Sequence, residues 1–297
     1  MKTKAIIYSL FILLGLVGIA CNPQVEIPSY IYVDSVSFSC LNTQGSASYN
    51  IKDISVTVNG DARGSYELPA LVPVLHKGSS KIQLQPVIHL NGMSHQRVVN
   101  YTYSLYETYH DLVQGKIDTI RPHFTYADQT KFYFIEGFEE AGFKFSCEGA
   151  TLNKTSDSSI LLHIPNENNY SAGMITFGEN DTSYSFELKT INPIYLTSTT
   201  MTICFLEINY SGTQSLEIGS YFHHSTGRST QTAIVHINAT EQRSTWRKVY
   251  VNLTEAINNA GLQMTHFDIY LKGYRESATS LDTFLLDNIN RLIYLHI

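Results

Sequence analysis

The chain is short of charge, and it lacks the short motifs that usually announce catalysis. Only 15% of its 297 residues are Asp, Glu, Lys or Arg. No run of Lys and Arg gathers into a basic face. A nucleic-acid binder needs such a face to neutralise phosphates, so the charge balance argues against that partner. There is no Gly-x-Ser-x-Gly, no His-Glu-x-x-His, no P-loop and no Gly-x-Gly-x-x-Gly. Their absence removes the nucleophile-elbow, zinc and phosphate-cradling chemistries that those spacings serve. A Glu-x-Asp-x-x-Glu set is missing as well. Two carboxylates from distant strands then remain as the only route to glycoside hydrolysis. The expectation is a protein that is not an enzyme.

Cysteine is also scarce. Cys21, Cys40, Cys147 and Cys204 are too far apart for a Cys-x-x-Cys redox or zinc motif. If Cys21 is modified, three thiols remain. They are then buried free thiols, or Cys147 and Cys204 pair and leave Cys40 alone. The free-thiol reading is favoured.

What is plentiful is aromatic and β-branched. Twenty Tyr and fourteen Phe stand beside abundant Thr, Ile and Val, a composition that favours strands. Hydrophobic residues make up 43%, enough to fill a core and to exclude wholesale disorder. The net charge is −6, which argues against electrostatic docking on anionic lipid.

The first twenty residues stand apart. Lys2 and Lys4 precede an apolar stretch from Ala5 to Ala20 that ends at Gly18-Ile19-Ala20-Cys21. A basic start, an apolar run and small residues before a break form a secretory signal. The run is too short to span a bilayer comfortably. Its ending resembles a bacterial lipobox, with Gly18 where Leu is usual. That resemblance implies cleavage before Cys21 and acylation of its thiol. Several acyl chains hold a protein on a membrane, at about 0.8 kcal/mol for each buried CH₂. The expected layout is a signal peptide over 1–20, a tether over 21–29 and two β-sandwiches over 30–126 and 131–297.

Turn signals delimit the strands. Ile54, Val56 and Val58 alternate with polar residues up to Asn59-Gly60, a tight hairpin turn. Asn91-Gly92 is a second such turn. Tyr101–Val113 and Lys116–Tyr126 read as a pair about Gln114-Gly115. Seven or so short strands in about a hundred residues fit an immunoglobulin-like sandwich. Beyond Lys131 more strands follow, among them Ser159–His163. One helix is expected after Leu253, with Thr254 capping it, Glu255 in its first turn and Gly261 ending it. Many strands and one short helix describe a jelly roll, so the fold class is all-β.

The succession Ser244-Thr245-Trp246-Arg247-Lys248-Val249-Tyr250, His266-Phe267-Asp268-Ile269-Tyr270-Leu271-Lys272 and Phe284-Leu285-Leu286-Asp287-Asn288-Ile289 resembles the last part of galactose-binding-like jelly rolls, the fold of many carbohydrate-binding modules. The resemblance covers about Lys131–Ile297. The chain as a whole resembles Bacteroidota-type envelope lipoproteins. These resemblances imply an outer-membrane lipoprotein of the cell envelope, facing the periplasm or the surface. They imply a glycan as ligand of the second sandwich. An envelope-protein assembly with no sugar is the alternative.

Candidate contacts follow from residue chemistry. Tyr274 and Arg275 follow Gly273 in an expected loop. An aromatic face beside a multi-donor cation suits a hydroxyl-rich ligand. His223, His224 and Arg228 sit at a strand end, where adjacent histidines point to opposite faces and seldom share a metal. Trp246, the only tryptophan, either stacks on a sugar or packs inside, and packing is favoured. In the family resembled, some members hold structural calcium near the first and last strands. That implies Glu136, Glu139 and Asp287 as carboxylate ligands, and calcium needs six to eight oxygens.

Overall fold

The computed structural model describes residues 26–165, 167, 169–178, 183–195, 203–240, 244–277 and 282–294. The expected signal segment and Cys21 lie outside them. No helix among the described residues is long and apolar enough to cross a membrane.

The first half holds ten strands: β1 (Ser29–Val33), β2 (Ser37–Phe38), β3 (Asp53–Val58), β4 (Asp61–Glu67), β5 (Ala70–Val74), β6 (Gly78–His89), β7 (Arg97–Val99), β8 (Tyr106–Leu112), β9 (Ile117–Thr119) and β10 (His123–Phe124). One sheet runs β4-β3-β6-β7, with β8 also on β6. Facing elements pair as β5-β1-β9 and β10-β2. Ile54, Val56 and Val58 point into the core, and Ile82 and Leu84 meet them from β6. Asn59 and Gly60 both take positive φ, as a two-residue hairpin between β3 and β4 demands. The expected pair about Gln114-Gly115 does not form. β8 joins β6, whereas β9 lies parallel to β1. The turn there carries the chain from one sheet to the other, as a sandwich requires.

The second half is the jelly roll. Its strands are β11 (Thr130–Glu136), β12 (Phe145–Glu148), β13 (Thr151–Thr155), β14 (Ala172–Thr176), β15 (Ser185–Thr190), β16 (Ile194–Tyr195), β17 (Ile203–Gly212), β18 (Leu216–His224), β19 (Ser229–Ile237), β20 (Arg247–Asn252), β21 (Met264–Tyr274) and β22 (Phe284–Tyr294). One sheet runs β13-β14-β22-β17-β20 with β11 on β22. The other runs β12-β15-β21-β18-β19 with β16 on β21. Their inner faces meet through Leu206, Ile208, Ile218, Ile269, Leu271 and Phe284, all buried. Ser159–His163 is not a strand. Asp157 accepts from the Ser159 N–H and hydroxyl, at 3.0 and 2.7 Å, and that local turn competes with sheet pairing. The helix α1 (Thr254–Ala260) forms where expected, but Thr254 does not cap it. Its hydroxyl accepts from the Cys204 N–H at 2.9 Å and so ties α1 to β17.

Cys40, Cys147 and Cys204 are free thiols, so the Cys147–Cys204 pairing does not occur. Cys147 lies in β12 and Cys204 in β17, strands of opposite sheets. Burial pushes the Cys40 thiol up to about 11 and raises that of Cys147, so both stay protonated.

The two halves are joined by a buried polar seam. Lys248 of β20 donates to Glu207 of β17 at 2.6 Å and to the Ser48 carbonyl at 2.6 Å. Tyr126 and Tyr103 donate to the same Glu207 carboxylate, at 2.9 and 3.2 Å. Tyr250 bonds to Tyr103 at 3.0 Å and accepts from the Asn50 N–H at 2.9 Å. Tyr250 and Phe205, both jelly-roll residues, pack into the core of the first half. The Asn91-Gly92 turn is also used here. The Asn91 N–H donates to the Tyr250 carbonyl, and the Asn91 side chain accepts from the Asn252 N–H.

Candidate functional site

Strand alternation places one set of β21 side chains outward: His266, Asp268, Tyr270, Lys272 and Tyr274. The intervening Phe267, Ile269 and Leu271 fill the core. Register then sets the neighbours. Lys272 lies between Glu187 of β15 and Glu217 of β18, and Tyr270 lies between Lys189 and Gly219. Asp268 faces Tyr221, and His266 faces His223. The outer face of this sheet is therefore a lattice of phenols, carboxylates, lysines and imidazoles.

Hydrogen bonds fix the lattice. Tyr221 donates to Glu187 at 2.8 Å, and Tyr270 donates to Glu217 at 2.8 Å. The two rings lie 5.2 Å apart. Burial, then these carboxylates, push both phenols well above the ordinary tyrosine value, so they remain neutral donors. Gly219 is required beneath them. A Cβ there would meet the Tyr270 ring and the Thr232 carbonyl, each at 2.4 Å. His223 bridges Asp268 at 3.0 Å and Ser229 at 2.7 Å, and stacks on His266 with centroids 4.4 Å apart. Tyr195 of β16 adds a ring 5.5 Å from His266.

The residues singled out from sequence divide. Tyr274 ends this face and is 50% exposed, with the Lys272 ammonium 5.4 Å from its ring. His223 lies on the same face, near its other end. Eight residue steps along β21 separate the Tyr274 and His266 rows, roughly 27 Å of strand. Arg275 is a correction. It is only 5% exposed, and its guanidinium lies 4.6 Å from the Phe177 ring and 5.8 Å from the Tyr184 ring. It is a packing residue and not an exposed contact. His224 and Arg228 leave the face altogether. They line a hollow of about 620 Å³ between the β18–β19 hairpin and α1, together with Thr226, Thr230 and Asn259.

The carboxylates expected near the first and last strands do come close, but as acceptors for the chain itself. Glu136 is buried and accepts from the Phe138 and Lys144 N–H groups, at 2.8 and 2.7 Å. Glu139 accepts from the Tyr170 and Ser171 N–H groups, at 2.9 and 3.0 Å. Asp287 accepts from Asn169 at 2.6 Å and from the Asn288 N–H at 2.7 Å. Burial pushes Asp287 up to about 8 against the pull of those two bonds, with Glu139 and Glu167 adding repulsion. Among the described residues no three His, Cys, Asp or Glu side chains are placed to hold a metal ion. Both oxygens of Glu136 and of Asp287 and one of Glu139 are engaged by the chain, so these residues do not fit a calcium site as they stand.

Sequence reasoning missed Glu187, Glu217, Tyr221 and Asp268 on the sheet face. The available signal was alternation, as in Ser185-Phe186-Glu187-Leu188-Lys189. Register, which brings three strands into one lattice, is not written in any single strand.

No protein-family description and no curated protein matches the chain in sequence. Among solved structures it is similar to the xylan-binding domain CBM22-1 of Paenibacillus barcinonensis Xyn10C, at 12% identity, covering 58% of this chain and 99% of that one, with a TM-score of 0.38. It is also similar to TmCBM61, solved with β-1,4-galactotriose, at 14% identity over 54% of this chain and 97% of that one, with a TM-score of 0.34. Both likenesses are distant.

Proposed function

We propose that the protein is a lipid-anchored, non-catalytic envelope protein that binds carbohydrate on the outer face of its β12-β15-β21-β18-β19 sheet. The observation that carries this is the pairing of the half-buried Glu187 and Glu217 with phenols on one outer sheet face, where Tyr221 is half-buried and Tyr270 is covered by its neighbours. Glu187 and Glu217 each have one oxygen held by a phenol, and the other Glu217 oxygen lies 3.6 Å from His236 Nε2, so Glu187 is the freer acceptor for ligand hydroxyls. Tyr274 and Tyr195 offer partly exposed rings at its two ends, where the CH face of a sugar can pack. The face is open, whereas small-molecule sites are concave, so an extended saccharide suits it. The carboxylates along it repel a phosphate backbone. Lys272 stands between Glu187 and Glu217 in register, which disfavours a hydrolytic carboxylate pair across a scissile bond. The lipid anchor and outer-membrane location rest on the lipobox-like ending at Cys21.

The test is a glycan-array screen of the full mature chain, followed by titration of the best ligand. Tyr274→Ala and Glu187→Gln are expected to weaken binding at least tenfold with little change in melting temperature. Normal binding by both variants would refute the assignment of this face. In cells, Cys21→Ala is expected to leave the membrane fraction.

The assembly reading retains one supporting observation. Leu71, Leu75 and Ile117 are exposed on and beside the β5-β1-β9 sheet, next to Ile27. Such an apolar surface suits a protein partner.

A further inference from the structure

A second cleft lies where the two halves meet. It holds about 640 Å³, and its walls come from the Ala47–Lys52 segment on one side and from Leu162–Pro165 and Thr245–Lys248 on the other. Tyr49, Lys52, His163, Trp246, Arg247 and Asn209 all line it. Trp246 is half-buried and outside both hydrophobic cores, contrary to the packing favoured from sequence. Its indole N–H donates to the Ile160 carbonyl at 2.9 Å, which holds the ring at the cleft wall.

Charge in this cleft runs against the charge of the chain. No carboxylate lines it, although the protein carries a net −6. Its basic groups differ in their partners. His89 and Lys248 are paired with Asp53 and Glu207. Lys52 and Arg247 are exposed and make no ion pair among the described residues. A third carboxylate outside the lining, Glu167, accepts from the Ala47 N–H at 2.7 Å. The second observation is independent of charge. Asn209 is 2% exposed, and its amide donates to the Ser48 hydroxyl at 2.9 Å. Its carbonyl oxygen, Oδ1, has no hydrogen-bond partner. A buried acceptor without a donor is destabilising, and a ligand hydroxyl that donates to it relieves that cost.

We infer that this cleft binds an anionic sugar residue, with Lys52 and Arg247 on its carboxylate or sulfate, Asn209 Oδ1 on a hydroxyl and Trp246 or Tyr49 against the ring. The inference rests on the carbohydrate reading above and adds a charge class and a separate site. Arg suits the role because its fork matches a planar carboxylate and stacks on aromatic faces. Both walls are needed, so only the joined halves make the site.

The experiment titrates the full chain, by calorimetry, with oligogalacturonate, with a heparin oligosaccharide and with neutral xylo- and galacto-oligosaccharides. At least one charged saccharide is expected to bind, and which one distinguishes carboxylate from sulfate. Arg247→Ala and Lys52→Ala are each expected to weaken that binding about tenfold, and added salt should weaken it further. Both side chains are exposed, so unchanged melting temperatures will show that each variant is folded. Unchanged affinity in both variants overturns the inference, and so does salt-independent binding. If neutral saccharides bind and charged ones do not, this inference fails and the sheet-face reading stands. If no saccharide binds, both fail.

Discussion

Lys248→Met tests the seam between the two halves. The Lys248 ammonium is almost fully enclosed, and the Glu207 carboxylate is completely so. Removing the cation leaves that carboxylate buried with only two phenol donors, Tyr103 and Tyr126. Breaking one side of a buried pair costs about 3–5 kcal/mol. The aliphatic stem is kept by Met, so little of that cost is packing. The Ser48 carbonyl also loses its donor, which is included in the same range. At roughly 2–4 °C per kcal/mol for a chain of this size, the melting temperature falls by about 10 °C. The decisive comparison is the double variant Lys248→Met/Glu207→Gln. It removes the orphaned charge, keeps an acceptor for a phenol and is expected to recover more than half of the loss. Urea unfolding of the four proteins gives the coupling directly. A Lys248→Met variant that loses less than 1 kcal/mol would sink the reasoning, and so would costs that simply add.

Asp287 predicts an unusual pH dependence. Its folded pKa of about 8 lies above its ordinary value of 3.8, so the folded state holds a proton that the unfolded chain has released. Stability from this group is full below about pH 4 and falls as pH rises towards 8. Asp287→Asn is expected to flatten that decline, read as melting temperature from pH 5 to 8, and an unchanged slope would refute it. Millimolar calcium is expected to leave the melting temperature unchanged. A rise of several degrees that Asp287→Asn abolishes would show that Asp287, Glu139 and Glu136 take a cation after all.

How much of this was legible beforehand depends on the distance over which each feature is decided. Asn59-Gly60 is decided within two residues, because both must take positive φ, and the sequence reads it directly. The inward rows Ile54-Val56-Val58 and Phe267-Ile269-Leu271 are decided by a period of two and were equally plain. Arg275 was misread because its environment is supplied by Phe177 and Tyr184, about a hundred residues earlier in the chain. A cation beside a glycine then looks like an exposed loop residue. Trp246 was misread for a related reason. It directly precedes β20 of the jelly roll, but its surroundings include the wall contributed by the first half. The Glu187–Tyr221 and Glu217–Tyr270 pairs need strand order as well as alternation, and strand order is a property of the whole sheet. The Thr254 hydroxyl illustrates competition. A residue suited to capping a helix is engaged by the end of β17.

The Glu207–Lys248 seam also bears on how such a chain can change over evolutionary time. Sandwich units of this kind are often thought of as interchangeable beads, swapped between proteins by recombination. Here a swap carries a penalty on both sides. A jelly roll spliced to a foreign first half would bury Glu207 against a wall without Tyr103 and Tyr126, and would leave Phe205 and Tyr250 without the core they complete. A first half given a foreign partner would lose the aromatic plug that closes its own interior. The two halves are therefore expected to diversify as one inherited unit, with the outer sheet face and the loop tips free to vary around a fixed joint.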